Sequence, residues 1–444
     1  MFRSLVVVVL ASPVWAQAPL SLDDAVRIAL EKHPSVAASQ YGTREAGARI
    51  KEARSGYLPK VNYTESVTRS NNPVFVFGSL LEQHQFTAAN FDLNTLNRPE
   101  PLDNFQSLIT GEQTVYDFGA TKANVKSAEL GRDISQEDER RTKMDLIRRV
   151  AGAYHGAQLA AEALRVAEEA TKSAEADLKQ AEAIRAAGLS TEADVLSLRV
   201  HLASMREQQI RRRADFEVAS AALNEALGLP LTESHTLTTP LTAAALPPET
   251  VQAYEQQSLD LRPEMRQARL ATDLAETGKR KAHAALLPRI SLRGAYEVDR
   301  QTFGAKVGTN WLAGAALQWN AFDGLANWAR RDEAAYATAR AQALQDQASA
   351  QVRLQVRRAY ADYQAAREQV DVASAAVAEA RESLRITKNR YENGLSTVTD
   401  LLRTETASLE ASNRHLAALY NQRMAAVNLE LAAGTLSPTS EALK

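Results

Sequence analysis

The chain has 444 residues and a formal net charge of −2 at pH 7, with acidic and basic residues interspersed along it. It therefore lacks the basic footprint of a nucleic-acid-binding protein. The absence of cysteine excludes a disulfide framework and the lipid-acceptor cysteine of a bacterial lipoprotein. Abundant alanine and 24% charged residues favour long helices.

Residues 1–16 have the pattern of a secretory signal peptide. Arg3 precedes a short apolar stretch, and small residues allow cleavage after Ala16 or Ala18. We therefore expect an exported protein. No later stretch approaches the roughly 18 consecutive apolar residues of a transmembrane helix, so we expect any membrane attachment to come from β-strands.

A first structural repeat is predicted over residues 17–230. It begins with a helix, continues with two strands of alternating polarity at about 58–70 and 105–117, and ends in a helical hairpin over 119–228. The first helix of that hairpin can run for about 100 Å, which is too long for a compact globular domain. Apolar residues recur along it every three or four positions, the spacing of a coiled-coil seam.

The turn of the hairpin carries its own local signals. Gly188 suits the left-handed position at the end of the first helix, and Leu189 can supply the apolar contact that follows. Thr191 and Asp194 have the spacing of a capping box at the start of the next helix. The sequence therefore predicts a sharp hairpin tip.

After a linker at 231–248, a second repeat is predicted over 249–436, followed by a tail at 437–444. A shift of 206 residues (322 minus 116) places Tyr116-Asp117 on Phe322-Asp323 and Gly188 on Gly394. Upstream the shift is 229 (263 minus 34), so the first copy has 23 extra residues between its strands. The second copy is predicted to have a helix, strands at about 288–299 and 309–322, and a helical hairpin over 325–434.

The strands of the second copy have the polarity of membrane-spanning strands. Residues 290–298 alternate between apolar and polar side chains. The tryptophans of the mature chain, Trp311, Trp319 and Trp328, lie in or just after the partner strand, where an interfacial aromatic belt is expected. Predicted lengths of about 10 to 13 residues suit tilted membrane strands.

Four such strands in one chain cannot close a barrel, and a bilayer does not tolerate open sheet edges. Two chains would supply eight strands and three would supply twelve. Because eight strands leave an interior filled by side chains, a trimer fits a through-channel better. The predicted fold is mainly α with membrane β: a long antiparallel coiled-coil α-barrel plus a trimeric 12-stranded β-barrel.

The residues at the element boundaries resemble those of the TolC-like outer membrane efflux proteins, over essentially the whole mature chain. The resemblance rests on residues 20–25 through His33-Pro34, Gly56-Tyr57-Leu58-Pro59, Tyr116-Asp117-Phe118-Gly119, Phe322-Asp323-Gly324 and the two Gly-Leu-Ser tips. It implies a homotrimeric, passive exit duct in the outer membrane of a Gram-negative bacterium, with a large periplasmic part. Such ducts dock to a periplasmic adaptor and an inner membrane pump, proton-driven or ATP-driven, to export small molecules, drugs, metal ions or proteins.

The resemblance also implies gating residues at the periplasmic aperture. Asp400 matches an acidic residue that would form a carboxylate ring in a trimer, and Arg403 stands where the family can have a second acidic residue. Tyr391 and Asp194 match a pair that locks the closed state, whereas Ser396 replaces an arginine that can complete the lock. Asp194 and Asp400 can equally be simple helix caps. The family implies an iris-like opening of the second hairpin.

The tips are the expected docking surface for the adaptor, formed by Gly188, Leu189, Ser190, Gly394, Leu395 and Ser396. The two glycines also have a purely structural explanation. The resemblance places the extra segment at about 71–104 on the outer side, where it can narrow the mouth, pack on the barrel rim or act as a surface determinant. We expect a structured lid there rather than a mobile loop.

The sequence indicates no enzyme. The tripeptide at 117–119 imitates a kinase magnesium motif without the remaining kinase signatures, and the seven scattered histidines lack the spacing of metal ligands. We therefore predict no cofactor and no metal. Two other classes remain open, a periplasmic coiled-coil adaptor and a structural protein without a membrane barrel, although neither needs the alternating strands.

Overall fold

A computed structural model of the chain describes residues 18–188, 191–246 and 249–444. The predicted signal peptide and the tip residues Leu189 and Ser190 lie outside these ranges. The chain divides into two compact units: one comprises residues up to 41, 137–267 and 346–444, and the other comprises 42–136 and 268–345. Each unit combines parts of both sequence copies.

Apart from α3 and α4, which lie between the strands of the first copy, the described elements of the two copies follow the same order. The first copy comprises β1 (Ala18–Leu20), α1 (Leu22–Lys32), α2 (Pro34–Arg54), β2 (Lys60–Ser70), α3 (Pro73–Glu82), α4 (Leu93–Asn97), β3 (Leu102–Tyr116), α5 (Ala120–Ala186) and α6 (Glu192–Leu227). After β4 (His235–Leu237), the second copy comprises α7 (Val251–Leu261), α8 (Pro263–Ala284), β5 (Arg289–Arg300), β6 (Val307–Gln318), α9 (Ala326–Glu392) and α10 (Val398–Ala433).

Each copy begins with two helices where the sequence analysis predicted one. The break falls before Pro34 in the first copy and before Pro263 in the second. His33 (φ −69°, ψ 129°) and Arg262 (φ −66°, ψ 132°) are both extended, because a following proline disfavours the helical conformation. The C-terminal end of each hairpin packs closely against one of these breaks. A Cβ built on Gly228 would lie only 3.1 Å from His33 Cα, and a Cβ built on Gly434 would lie only 2.8 Å from Arg262 N.

The helical hairpins of the two copies have matching lengths. α5 and α9 have 67 residues each, and α6 and α10 have 36 residues each. The predicted seam of α5 is largely buried. The α5 residues Leu146, Val150 and Tyr154 belong to the main hydrophobic core of the first unit. Members of that core include Leu22, Val26, Leu146, Val150, Tyr154, Leu227, Val356, Leu429 and Leu443.

The linker at 231–248 is held to this core by strand pairing and by buried polar groups. β4 pairs in parallel with β1. The Tyr154 hydroxyl donates to Leu20 O at 2.8 Å and accepts from Thr239 N at 3.0 Å. Further along, Gln422 Nε2 donates to Ala244 O at 2.7 Å. Such satisfied buried groups fix an irregular segment on a helical surface.

The second unit contains a four-stranded antiparallel sheet in the order β2-β3-β5-β6. The register places apolar side chains side by side on one face, in the row Tyr63, Ile109, Tyr296 and Trp311. The opposite face carries rows such as Ser66, Gln106, Asp299 and Gly308. We call these the apolar face and the polar face.

The strand boundaries differ from the predicted ones at several ends. β2 begins at Lys60 and β3 begins at Leu102, whereas β6 ends at Gln318 rather than at about 322. The segment after β6 is needed for a turn: Asp323 Oδ2 accepts from Asn327 N at 3.0 Å, and Gly324 and Leu325 both have positive φ. The alternating apolar pattern therefore continues beyond the paired strand.

The extra segment between β2 and β3 is folded into α3 and α4, which the sequence did not predict. Asn72 caps α3 by accepting hydrogen bonds from Val74 N and Phe75 N, and Pro73 occupies the first helical position. The end of α3 lies on the polar face, where Asn310 Nδ2 donates to Glu82 O at 3.4 Å. The segment is therefore structured and covers part of the polar face.

Candidate functional site

Both hairpins have the left-handed glycine and the capping box that the sequence predicted, whereas the predicted contact of Leu189 lies outside the described residues. Gly188 (φ 80°) and Gly394 (φ 72°) are left-handed, as a helix C-terminus closed by glycine requires. Leu395 N donates to Arg390 O at 2.7 Å, but the Leu395 side chain is 68% exposed. Most of this apolar side chain is therefore accessible on the surface of the described chain.

Asp400 acts as a helix cap at the second tip. Its Oδ2 accepts hydrogen bonds from Thr397 Oγ1 at 2.7 Å, Thr397 N at 3.3 Å and Ser396 Oγ at 3.3 Å. These bonds, led by the one from the Thr397 hydroxyl, lower the pKa of Asp400, and the charge of Arg403 adds to the effect. Asp400 is therefore ionised at neutral pH, as a charged ring would require.

Tyr391 and Asp194 are close enough to interact between the two hairpins. Tyr391 packs against a small apolar cluster of Ala181, Val195, Leu198 and Val398. Burial raises the pKa of Tyr391, and the negative charge of Asp194 raises it further. Ser396, which stands where the family can have an arginine that completes this lock, donates a hydrogen bond to Asp400 within its own hairpin.

A buried polar cluster joins the two hairpins, and the sequence analysis missed it. Lys388 Nζ of α9 lies 2.7 Å from Asp177 Oδ1 of α5. His201 Nε2 of α6 lies 3.0 Å from Glu405 Oε2 of α10. The side chain of Asp177 is only 3% exposed and that of Glu405 only 9%. We call these four residues the inter-hairpin cluster.

The two carboxyl groups of the inter-hairpin cluster shift each other's pKa in opposite directions. Burial raises the pKa of Asp177 to about 6, helped by its hydrogen bond with Glu405 and opposed by Lys388. Burial alone would also raise the pKa of Glu405, but hydrogen bonds from His201 and Asp177 lower it. Each acid of the cluster therefore contacts a base across the gap between hairpins, which makes their contact sensitive to charge.

The predicted membrane-interface tryptophans are all strongly exposed. Trp311 is 78% exposed, Trp319 59% and Trp328 51%. Trp319 Nε1 donates to Leu286 O at 3.1 Å, and the Arg331 guanidinium lies 4.5 Å from the ring centre of Trp328. Large exposed aromatic rings suit a membrane–water interface. Among the residues that the structure describes, no helix combines the length and apolar character needed to cross a bilayer.

Comparison with known families covers most of the chain. Residues 25–229 and 255–435 match the family of outer membrane efflux proteins. The chain belongs to this family. The match includes both hairpins and both strand pairs.

Two curated relatives extend the comparison. Protein CyaE of Bordetella pertussis is 27% identical over 332 residues, which cover 74% of this chain and 70% of CyaE. Alkaline protease secretion protein AprF of Pseudomonas aeruginosa is 24% identical over 424 residues, which cover 94% of this chain and 85% of AprF. The chain is thus similar to a secretion protein over nearly its full length.

Solved structures of outer membrane channels share the fold. The CmeC outer membrane channel of Campylobacter jejuni matches with a TM-score of 0.78 at 16% identity, covering 99% of this chain and 95% of CmeC. The open state of the MtrE outer membrane channel of Neisseria gonorrhoeae matches with a TM-score of 0.77 at 20% identity, covering 94% and 90%. This efflux family consists of passive channels, so the chain is an efflux or secretion channel and not an enzyme.

Proposed function

We propose that three copies of this chain form a passive exit duct, with a closed 12-stranded barrel and a tube of helical hairpins. The observation that carries the proposal is the sheet of the second unit. Among the described residues, β2 and β6 each pair on one side only, and open edges are not tolerated in a bilayer. Because the four strands alternate in direction, β6 of one copy can pair with β2 of the next in the same antiparallel sense.

The barrel would lie in the outer membrane of a Gram-negative bacterium, with the helical hairpins in the periplasm. The apolar face supports this location, since Tyr63, Tyr296 and Trp311 are 65%, 46% and 78% exposed and would contact lipid. Along an extended chain, Trp311 and Trp319 are roughly 27 Å apart. With a strand tilt of about 40°, this corresponds to roughly 20 Å along the membrane normal, so the two rings would lie toward opposite borders of the ~25 Å apolar band of a membrane barrel.

The tips would dock to a periplasmic adaptor, which connects the duct to an inner membrane pump. An exposed Leu395 beside the rigid left-handed Gly394 is a suitable contact for such a partner. The energy for export would come from the pump. Because AprF is named as a protease secretion protein, proteins are the first class of cargo to test. Small molecules, drugs and metal ions are the other classes of cargo.

The aperture would open by outward movement of the second hairpin. Three copies of Asp400, each beside Arg403, would surround the opening. Tyr391 with Asp194 would hold the closed state, and so would the inter-hairpin cluster, because its two ion pairs join the hairpin that moves to the one that stays. The two sequence repeats, 17–230 and 249–436, would then have equivalent structures, but only the hairpin of the second repeat would move.

Membrane fractionation tests the proposal. We expect the full-length protein in the outer membrane fraction, as a complex that dissociates from three chains to one when heated in detergent. Recovery as a soluble periplasmic monomer would favour the adaptor or structural alternatives and would contradict the duct.

A further inference from the structure

Three carboxylates meet where the extra segment contacts the sheet. Glu82 ends α3, while Glu297 and Asp299 are alternate residues of β5 and share its polar face. One oxygen from each side chain lies within 4.8 Å of those from the other two. They come together only because α3 folds back onto the strands.

The cluster forms because the backbone at the end of α3 lies directly against the backbone of β6. A Cβ on Gly308 would lie 1.8 Å from Glu82 O, so only glycine permits α3 to approach β6 there. The next residue, Gln83, anchors the helix end: its Nε2 donates to Asp103 O at 3.0 Å and to Asn104 Oδ1 at 2.9 Å. The cluster is therefore built by specific packing.

Two fully buried side chains in this network have an oxygen that receives no hydrogen bond from any described residue. Asp299 is 0% exposed; its Oδ1 accepts from Asn104 Nδ2 at 2.7 Å, but no described residue donates to its Oδ2. Gln83 is also 0% exposed, and its Oε1 likewise has no donor within the described ranges. Leaving a buried oxygen unsatisfied is costly, and more so for a charged one.

The charge of the three carboxylates is also uncompensated. Within the described ranges, none of them forms an ion pair with a basic side chain. Arg300 adjoins Asp299 in the chain, but it lies on the opposite face, where its guanidinium donates to Glu65 at 2.7 Å and to Ser107 at 2.9 Å. Three carboxylates at this spacing repel one another unless a cation or protons neutralise them.

We propose that Glu82, Glu297 and Asp299 bind a divalent cation, with Ca²⁺ as the best fit, and that this ion fastens α3 to the polar face of the sheet. Oxygen donors suit a hard cation, and Ca²⁺ accepts irregular arrangements of carboxylate and amide oxygens, whereas Mg²⁺ demands near-octahedral geometry. The Gln83 amide oxygen is a candidate further ligand. The spacing of histidines could not predict this site, because its ligands are carboxylates brought together by the fold.

The proposal stands on these contacts and does not depend on trimer formation or on export. Extracellular calcium sites work with dissociation constants of about 10⁻⁴ to 10⁻³ M, and we expect this range. Binding would stabilise the docked position of α3, so that residues 71–101 become more resistant to protease when Ca²⁺ is present.

Calorimetric titration of the full-length protein in detergent with CaCl₂, and separately with MgCl₂, tests the site. We expect one Ca²⁺ per chain, with Mg²⁺ weaker, and affinity at least about tenfold weaker in Glu297→Gln and Asp299→Asn. Glu112→Gln removes a carboxylate from the same polar face outside the cluster and is expected to bind like the wild type. Absence of Ca²⁺ binding, or equal binding by all variants, would overturn the proposal.

Glu82→Gln provides a second test in case the variants at Glu297 or Asp299 fail to fold. Glu82 lies outside the sheet, so its substitution leaves the strands unchanged. Its α3 segment is expected to show no Ca²⁺-dependent protease protection, while the wild type and Glu112→Gln are protected. Equal protection in Glu82→Gln and the wild type would contradict the role of the ion in fastening α3.

Discussion

Asp400 combines a capping role with an expected electrostatic role, and two substitutions separate them. Asp400→Asn keeps an acceptor for the Thr397 bonds but removes the charge, whereas Asp400→Ala removes both. If three copies surround an aperture, both variants should lose cation preference, seen as a shifted reversal potential of the reconstituted protein in a salt gradient.

The first tip provides the matched control for Asp400. Asp194 occupies the same capping position in the first hairpin, so Asp194→Asn tests loss of a charge at an equivalent cap. We expect a smaller change in selectivity there. Wild-type selectivity in Asp400→Asn would leave Asp400 as a cap alone.

His155 makes the core of the first unit sensitive to acid. The side chain is fully buried, and burial lowers its pKa to about 4, with the charge of Arg423 opposing protonation as well. Since the folded state binds the proton less tightly than the unfolded state, stability is present above the unfolded pKa and falls as the pH drops from about 6.5 toward 4. The loss is on the order of 3 kcal/mol.

Asp177 contributes with the opposite sign and a comparable size, because its raised pKa favours the folded state as the pH falls through about 6. The test is therefore the difference between two proteins. We expect the guanidinium midpoint, followed by helical circular dichroism, to decrease more (or increase less) in the wild type than in His155→Gln as the pH falls from 6.5 to 4.5. The same pH dependence in both proteins would contradict the role of His155.

Local residue signals were predictable, and the inter-hairpin cluster was not. Gly188, Gly394 and the capping acids depend on neighbours within a few positions, so the sequence contains the whole reason for them. Lys388 pairs with a residue 211 positions away (388 minus 177). From the sequence of α9 alone, Lys388 cannot be distinguished from an ordinary solvent-exposed lysine.

At the scale of elements, the inter-hairpin cluster should hold the two hairpins together. Lys388→Met leaves Asp177 without its basic partner in a buried position, at a cost of roughly 1 to 3 kcal/mol. We expect hydrogen exchange near the end of α9 to accelerate by about tenfold or more. The control is Lys172→Met, which removes an exposed lysine from α5. Equal exchange in both variants would show that the cluster does not couple the hairpins.

The contact between α3 and β6 gives a second prediction for elements. Gly308→Ala places a methyl group against the Glu82 carbonyl, so α3 must move off the sheet. We expect faster proteolysis within residues 71–101. Gly304→Ala is the matched control, because a Cβ there meets no atom within 4 Å, and equal proteolysis of the two variants would rule out close packing of α3.

Long, strongly periodic elements were predicted well, and short ones were not. The seam of α5 extends over many turns, and the strands alternate over about ten residues, so both patterns stand out. By contrast, α3 has only ten residues, and β1 and β4 have three each. These short elements depend on the surface against which they fold, which the sequence does not display.

At the scale of the whole molecule, the duplication supplies each chain with two strand pairs and two helical hairpins. One chain is left with two open strand edges, β2 and β6, and with an exposed apolar face. In the proposed trimer, closing three sheets edge to edge would satisfy both backbone edges and would place the apolar face against lipid. The proposed duct therefore depends on closure of the barrel by three chains.

Cysteine cross-linking of β2 to β6 tests this closure, because the chain has no cysteine of its own that could form other disulfides. Tyr63→Cys would be combined in turn with cysteine at each position of β6, and the full-length protein would be oxidised in membranes. We predict that at least one register gives a covalent ring of exactly three chains on non-reducing electrophoresis. Monomers at every register, or covalent products larger than three chains, would contradict the closed trimer.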